Sequence, residues 1–248
     1  MLAVMGAMDE EVRLLRAEMT QVSEARHAGV VVATGRFFGT PIALAQSGIG
    51  KVNAAICTQM LVNLYRPRAL VFSGVAGGVR SGLRVGDLVI ASHLVQFDID
   101  LTAFGRRHGE LPNSDREIYS DPFLVGKASQ AFEAAFLGAD DAPQLTVGTV
   151  VSGDRFVGDS TTLKWLQDEF GAVATEMEGA AVGYTCQLNG LPFVVTRGLS
   201  DTADEQACSD YAANLDKVCM NSFRLLEQLI PSLAAAPARL GSPAIVPA

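Results

Sequence analysis

The feature of this sequence that most narrows its fold is a set of short apolar runs that do not alternate with polar residues. Residues 2–7, 69–73, 87–95, 145–152, 172–176 and 193–197 all have this character. A strand with one wet face alternates apolar and polar residues, whereas a strand covered on both faces does not. Between the runs lie segments with helical spacing, such as 9–19, which carries Val12, Leu14, Leu15 and Met19, and 52–65, 123–136, 160–170, 179–189 and 209–233. Strands alternating with helices predict a parallel sheet with helices on both faces. A hairpin over 30–38 and 41–46, turning at Gly39 and Thr40, adds antiparallel pairing, and 102–121, with Gly105, Gly109 and Pro112, reads as a loop. With no linker and no repeat, the expectation is an α/β chain. It forms a single three-layer α/β/α domain over 1–233 around a mixed, mostly parallel sheet, followed by a frayed Ala/Pro-rich tail over 234–248.

Composition agrees and removes whole classes of function. Of 248 residues, 49% are hydrophobic and 19% charged, so the chain can bury a large core and is not of the disordered type. The net charge of −8 leaves no basic face for releasing counterions from nucleic acid or for holding an anionic membrane. The apolar start Met1–Met8 has no preceding Lys or Arg and runs straight into Asp9, Glu10 and Glu11, the wrong order for a secretory leader. Cys57, Cys186, Cys208 and Cys219 form no CxxC and no metal-like spacing with His27, His93 or His108, so they read as reduced thiols of a cytoplasmic protein. No metal and no cofactor is expected.

Three suggestive patterns fail on inspection. Ser47-Gly48-Ile49-Gly50-Lys51 looks like part of a phosphate loop, but Ala45 holds the first glycine position and Val52 replaces the Ser/Thr that would hold magnesium. A dinucleotide fingerprint begun at Gly48 has Asn53 where its third glycine belongs. Asp98 and Asp100 resemble the start of a cation loop that nothing completes.

Four segments sit at the carboxyl ends of strands, where open α/β sheets keep their chemistry. Gly6–Glu11 runs a strand into three acids at a helix start, which the helix dipole alone would favour. Ser73-Gly74-Val75-Ala76-Gly77-Gly78 reads as a glycine turn that lets a ligand approach the backbone. In Thr175-Glu176-Met177-Glu178, two carboxylates lie in an otherwise small, apolar stretch and need partners, for which sugar hydroxyls are suited. Arg197-Gly198-Leu199-Ser200-Asp201 delivers a cation and an acid from one strand, either as a structural pair or as a reacting one.

These segments, read as G-A-M-D-E-E-V, S-G-I-G-K-V-N-A-A, S-G-V-A-G-G, D-L-T-A-F-G, V-S-G-D-R-F, T-E-M-E-G-A-A and R-G-L-S-D-T-A-D, occur in that order. Together they resemble the 5′-methylthioadenosine/S-adenosylhomocysteine nucleosidases of the nucleoside phosphorylase superfamily, over nearly the whole chain except the tail. The resemblance implies a nucleoside phosphorylase-like fold and hydrolysis of the adenine N9–ribose C1′ bond of 5′-alkylthioadenosines, as in methionine salvage. It implies that Glu11 activates water with help from Arg197, and that Asp201, beside Ser200, protonates adenine N7. Glu178 would hold the ribose hydroxyls, with Glu176 behind it and Met177 against the sugar. Phe156 would stack on the base, the Val157 backbone would bond its edge, and Gly77, with Val75 and Ala76, would lie under the ligand. Met8, Ile49 and Tyr211 complete the pocket. The family's homodimers imply that Phe104 and Pro112 close the partner's pocket. Val75, Arg106, Arg155 and Tyr211 depart from the residues usual in the family.

The same residue types make chemical sense alone. Breaking an N-glycosidic bond builds positive charge on the ribose, which an anionic pocket stabilises, while adenine needs an acid to leave. The acid must hold its proton near neutral pH, so the pKa of Asp201 is expected to be raised. Glu11 beneath the ribose would repel phosphate, which favours water as nucleophile. Rival readings are a sister nucleosidase acting on futalosine or AMP and a non-catalytic nucleoside-binding module.

Overall fold

The computed structural model describes residues 1–112 and 114–234. The expected tail, apart from Ala234, lies outside the described residues. Ten strands form one sheet: β1 (Leu2–Gly6), β2 (Met19–His27), β3 (Val30–Phe37), β4 (Thr40–Gln46), β5 (Leu70–Gly78), β6 (Leu88–Gln96), β7 (Ile118–Tyr119), β8 (Leu145–Ser152), β9 (Ala172–Glu176) and β10 (Phe193–Asp201). Six helices cover it: α1 (Asp9–Ala17), α2 (Lys51–Tyr65), α3 (Pro122–Phe136), α4 (Ser160–Phe170), α5 (Gly179–Leu188) and α6 (Ala207–Ala234).

The unalternating runs are buried on both faces, as expected. In β1, Ala3 and Met5 pack with Ala54, Cys57 and Leu61 of α2 and Val182 and Cys186 of α5. Leu2 and Val4 pack on the opposite side with Val12 and Leu15 of α1, Leu124 of α3 and Leu225 and Leu229 of α6. Each Leu, Val or Met among them contributes about 1.5–3 kcal/mol on burial, so the two helical layers hold the sheet from both sides. A third cluster sets Leu166 and Phe170 of α4 against Val95 and Val151. Helix boundaries follow local chemistry. Asp121 caps α3 through the N–H groups of Phe123 and Leu124 with Pro122 in the first turn, and Asp159 caps α4 through Thr162 N.

The mixed sheet divides its pairings evenly between parallel (β1–β4, β1–β5, β5–β10, β6–β8, β8–β9) and antiparallel ones. Part of the antiparallel share comes from β3, which pairs with β4 on one side and with β2 at the sheet edge on the other. The rest comes from β7 on β6 and from β10 and β9, which reverse against β6 and β5. The pairing β5–β10–β6–β8–β9–β5 closes a five-stranded ring within the larger sheet. Register shifts interrupt β5–β10, β6–β8 and β8–β9, where the local twist of a bulge bends a strand round a closed curve.

Two segments read as ending in loops continue as strand. β5 runs through the glycines to Gly78, and β10 continues past Arg197 to Asp201. The described residues of 102–121 are irregular apart from a short turn of 3-10 helix at Thr102–Phe104 and the two residues of β7.

Candidate active site

A cavity of about 470 Å³ opens at the carboxyl ends of β1, β5, β9 and β10. The Glu11 carboxylate enters it from the first turn of α1. At the third helical position a glutamate can fold back onto the amides that precede the helix, and Glu11 does so. Its Oε2 accepts from Ala7 N at 2.6 Å and Met8 N at 3.0 Å, and its Oε1 accepts from Val75 N at 2.9 Å on β5. Burial pushes the Glu11 pKa above its ordinary value, against the opposing pull of Arg197 and of the three amides. Asp9 and Glu10 belong to the same turn but do not line the cavity.

Arg197 lies under the cavity at 1% exposure, with its guanidinium 4.2 Å from the centre of the Phe72 ring. The resemblance makes it a helper of Glu11; its ion pairs run to Glu176, through Nη2, and to Glu178 at 3.7 Å. Gly74 gives the two groups room to approach: a Cβ there would stand 2.2 Å from Arg197 Nη1 and 2.5 Å from Glu11 Oε1, so only glycine on β5 leaves space for both. Burial works against the Arg197 charge, but Glu176, Glu178 and Glu11 outweigh it and hold the proton more tightly than usual.

Glu176 is fully engaged. Its Oε2 accepts from Glu178 N at 3.1 Å and Gly179 N at 2.7 Å besides Arg197, and its Oε1 accepts from Ser152 Oγ. Ser152 in turn accepts from Ala180 N at 2.8 Å. Glu178 keeps more freedom, since Oε1 accepts from Gly50 N at 2.8 Å while Oε2 has only the longer Arg197 contact. Burial, and then the neighbouring Glu176, pushes the Glu178 pKa up to about 7.

Across the cavity, Asp201 is aimed by a register shift. Leu199 pairs with Ala76 but Asp201 with Gly77, so Ser200 is the extra residue. Ser200 Oγ donates to Asp201 Oδ2 at 2.8 Å, and Ala203 N, on a residue with φ of +52°, donates to Oδ1 at 2.9 Å. Burial raises the Asp201 pKa in spite of these bonds, and Asp210 and Asp204 add to the rise. This is the direction expected from sequence.

The remaining wall is mostly apolar. Ile49, Val75, Ala76, Gly77, Met177 and Val157 line it, and Phe156 meets Tyr211 edge-on with ring centres 6.2 Å apart. The Tyr211 hydroxyl donates to Met8 Sδ at 3.1 Å. Phe104, 81% exposed, and Pro112, also exposed, do not line this cavity. Sequence reasoning missed Ala7, Thr175 and Cys208 in the lining, together with Ser152, Gly50 and Gly74 behind it. A strand-end serine one step from a glycine, as in Ser152-Gly153, was the available signal for Ser152.

The sequence model of the phosphorylase superfamily matches residues 1–231. The 5′-methylthioadenosine/S-adenosylhomocysteine nucleosidase of Geobacillus thermodenitrificans is 39% identical over 229 residues, covering 92% of this chain and 95% of its own. A crystal structure of the Neisseria meningitidis enzyme of that name, in complex with methylthio-immucillin-A, superposes with a TM-score of 0.88 at 36% identity, covering 93% of this chain and 98% of its own. A futalosine hydrolase mutant of Helicobacter pylori superposes with a TM-score of 0.87 at 33% identity, covering 93% and 98%.

Proposed function

This chain belongs to the phosphorylase superfamily and, within it, to the 5′-methylthioadenosine/S-adenosylhomocysteine nucleosidases, and from that premise we propose how its cavity works. The enzyme is an N-glycosyl hydrolase that splits 5′-methylthioadenosine and S-adenosylhomocysteine into adenine and the corresponding 5-thioribose. Water adds to ribose C1′ as the C1′–N9 bond breaks. Its proton goes to Glu11, whose carboxylate is fixed by three backbone amides. The bond pair leaves with adenine, and Asp201 places a proton on N7, for which its raised pKa keeps it charged with a proton nearer neutrality. Glu178 accepts from the ribose hydroxyls through its less occupied oxygen. Arg197 and Glu176 hold it in place, Met177 packs on the sugar, and Phe156 and Val157 take the base.

One observation carries water over phosphate. The lining presents Glu11, Glu176, Glu178 and Asp201 against Arg155, which reaches Asp159 at 3.3 Å, while the buried Arg197 lies beneath it with Nη2 on Glu176. Among the described residues the carboxylates of the lining outnumber its one cation, Arg155, which disfavours a phosphate dianion and favours the cationic ribose of the transition state.

We also read the chain as a homodimer in which Phe104 and Pro112 complete the partner's pocket, supported by the exposed apolar side chains of Ile49, Val52, Ile56 and Leu188. We read 1–233 as its domain and the cytoplasm as its place, in methionine salvage. Among the described residues no helix is long and apolar enough to cross a membrane, and all four cysteines are free thiols.

The test is adenine release from methylthioadenosine by the purified protein in phosphate-free buffer. Release supports the reading; release only after phosphate is added refutes the role of Glu11. The Helicobacter pylori neighbour favours a second reading, with futalosine as substrate, and the same assay with futalosine decides between them.

A further inference from the structure

The two patterns that failed as phosphate and cation sites meet in space. Lys51, the first residue of α2, reaches Asp98 Oδ1 at 2.6 Å and Gln96 Oε1 at 3.2 Å with its ammonium. Its backbone N–H donates to Asp154 Oδ1 at 2.8 Å, and Asp154 N donates back to Asp98 Oδ2 at 3.0 Å. One ammonium and two carboxylates thus tie the start of α2 to the ends of β6 and β8. Gly50 sits between this cluster and the cavity, with φ of +96°, and a Cβ there would meet Asp154 Oδ1 at 3.1 Å. Its N–H points the other way, onto Glu178 Oε1 at 2.8 Å.

A single amide holding one oxygen of a carboxylate decides where the other oxygen points. Within α2 the same peptide unit is also held by Asn53, whose Nδ2 donates to the Ile49 carbonyl at 2.7 Å, while the Gly50 side of it is anchored through Lys51 N on Asp154. The ion pair is partly shielded from water, with Lys51 at 16% and Asp98 at 27% side-chain exposure.

We propose that Lys51, held by Asp98 and Asp154, is a positioning residue that fixes the Gly50 amide on Glu178 and so sets the grip on the ribose hydroxyls. This rests on the nucleosidase reading for its consequence, though not for its geometry. Lys51 does not touch substrate. It acts through Gly50, and the same cluster holds Asp154 at the root of the loop that carries Phe156.

The experiment compares wild type with Lys51→Met, Lys51→Arg and Asp98→Asn, all checked for folding by thermal melting. Hydrogen exchange at the Gly50 amide needs no substrate. We expect it to speed up about ten-fold or more in Lys51→Met and Asp98→Asn and much less in Lys51→Arg. With methylthioadenosine, KM should rise about ten-fold in Lys51→Met with a smaller change in kcat, the size expected when one charge-assisted contact is loosened. With the 2′,3′-dideoxy analogue, which lacks the hydroxyls Glu178 would hold, wild type and Lys51→Met should have the same KM. Unchanged Gly50 exchange, or an equal KM penalty on both substrates, overturns the proposal. A wild type that releases no adenine refutes the nucleosidase reading instead, and Gly50 exchange still decides the geometry. If Lys51→Met does not fold, Asp98→Asn carries the same comparison.

Discussion

Replacing Glu178 by Gln should make the protein more stable and less active, and the gain should depend on pH. Glu178 has a folded pKa of about 7 against an ordinary 4.5, because burial and Glu176 disfavour its charge. Between those values the folded state keeps a proton that the unfolded chain releases, so stability falls as pH rises from about 4.5 to about 7. At about 1.4 kcal/mol per unit, the ionised group costs the fold up to about 3 kcal/mol above pH 7. Gln is neutral, fills the same space and can still accept from Gly50 N. The stabilisation of Glu178→Gln over wild type should therefore be near zero at pH 4.5 and reach about 2–3 kcal/mol at pH 8, or roughly 5–10 °C in Tm for a chain of this length. Activity should drop about 10–100-fold, the worth of one charged hydrogen bond to the ribose. Thermal unfolding of both proteins at pH 5 and pH 8, at one protein concentration, measures the first part, and adenine release measures the second. A stability difference that is the same at both pH values, or a less stable variant at pH 8, would refute the reasoning.

Three further perturbations test the rest of the site. Gly74→Ala forces Arg197 and Glu11 apart and should cost about 1–3 kcal/mol of stability. It should also cut kcat/KM far more than that loss explains, as seen by comparing melting with adenine release. Asp201→Asn should lower kcat by about 10²–10⁴-fold while methylthioadenosine still binds in calorimetry, and in wild type the rate should fall as pH rises through the raised pKa of Asp201. Ser152→Ala leaves Ala180 N and Glu176 Oε1 without their shared partner and should destabilise by about 1–3 kcal/mol in denaturant unfolding.

Much of the fold was legible because burial on both faces leaves a plain record. β8, α4 and β9 have the limits that their apolar runs and capping residues predict. β2 left no such record: seven of its nine residues are exposed, so neither alternation nor an apolar run marks it. The glycines of β5 misled for a different reason. Glycine usually signals a turn, but Gly74 and Gly77 are there to let Arg197, Glu11 and Asp201 approach a strand that continues straight on. The cavity lining was readable from motif order, whereas the partners of Arg197 were not, since they depend on register between strands far apart in sequence. The contact of Lys51 with Asp98 was invisible for the same reason. Each residue alone looks like a surface charge.

The closed ring of strands also bears on when the site comes into being. β10 is the last strand of the chain, yet it lies between β5 and β6, which are near neighbours in sequence. Pairing it with them requires bringing together segments more than a hundred residues apart, the kind of slow, late contact that limits folding rates. Arg197 and Asp201 both ride on that strand. A chain with everything assembled up to α5 thus holds Glu11 and Glu178 but lacks both the cation beneath them and the Asp201 carboxyl opposite. The four side chains can therefore face one cavity only once β10 lies between β5 and β6.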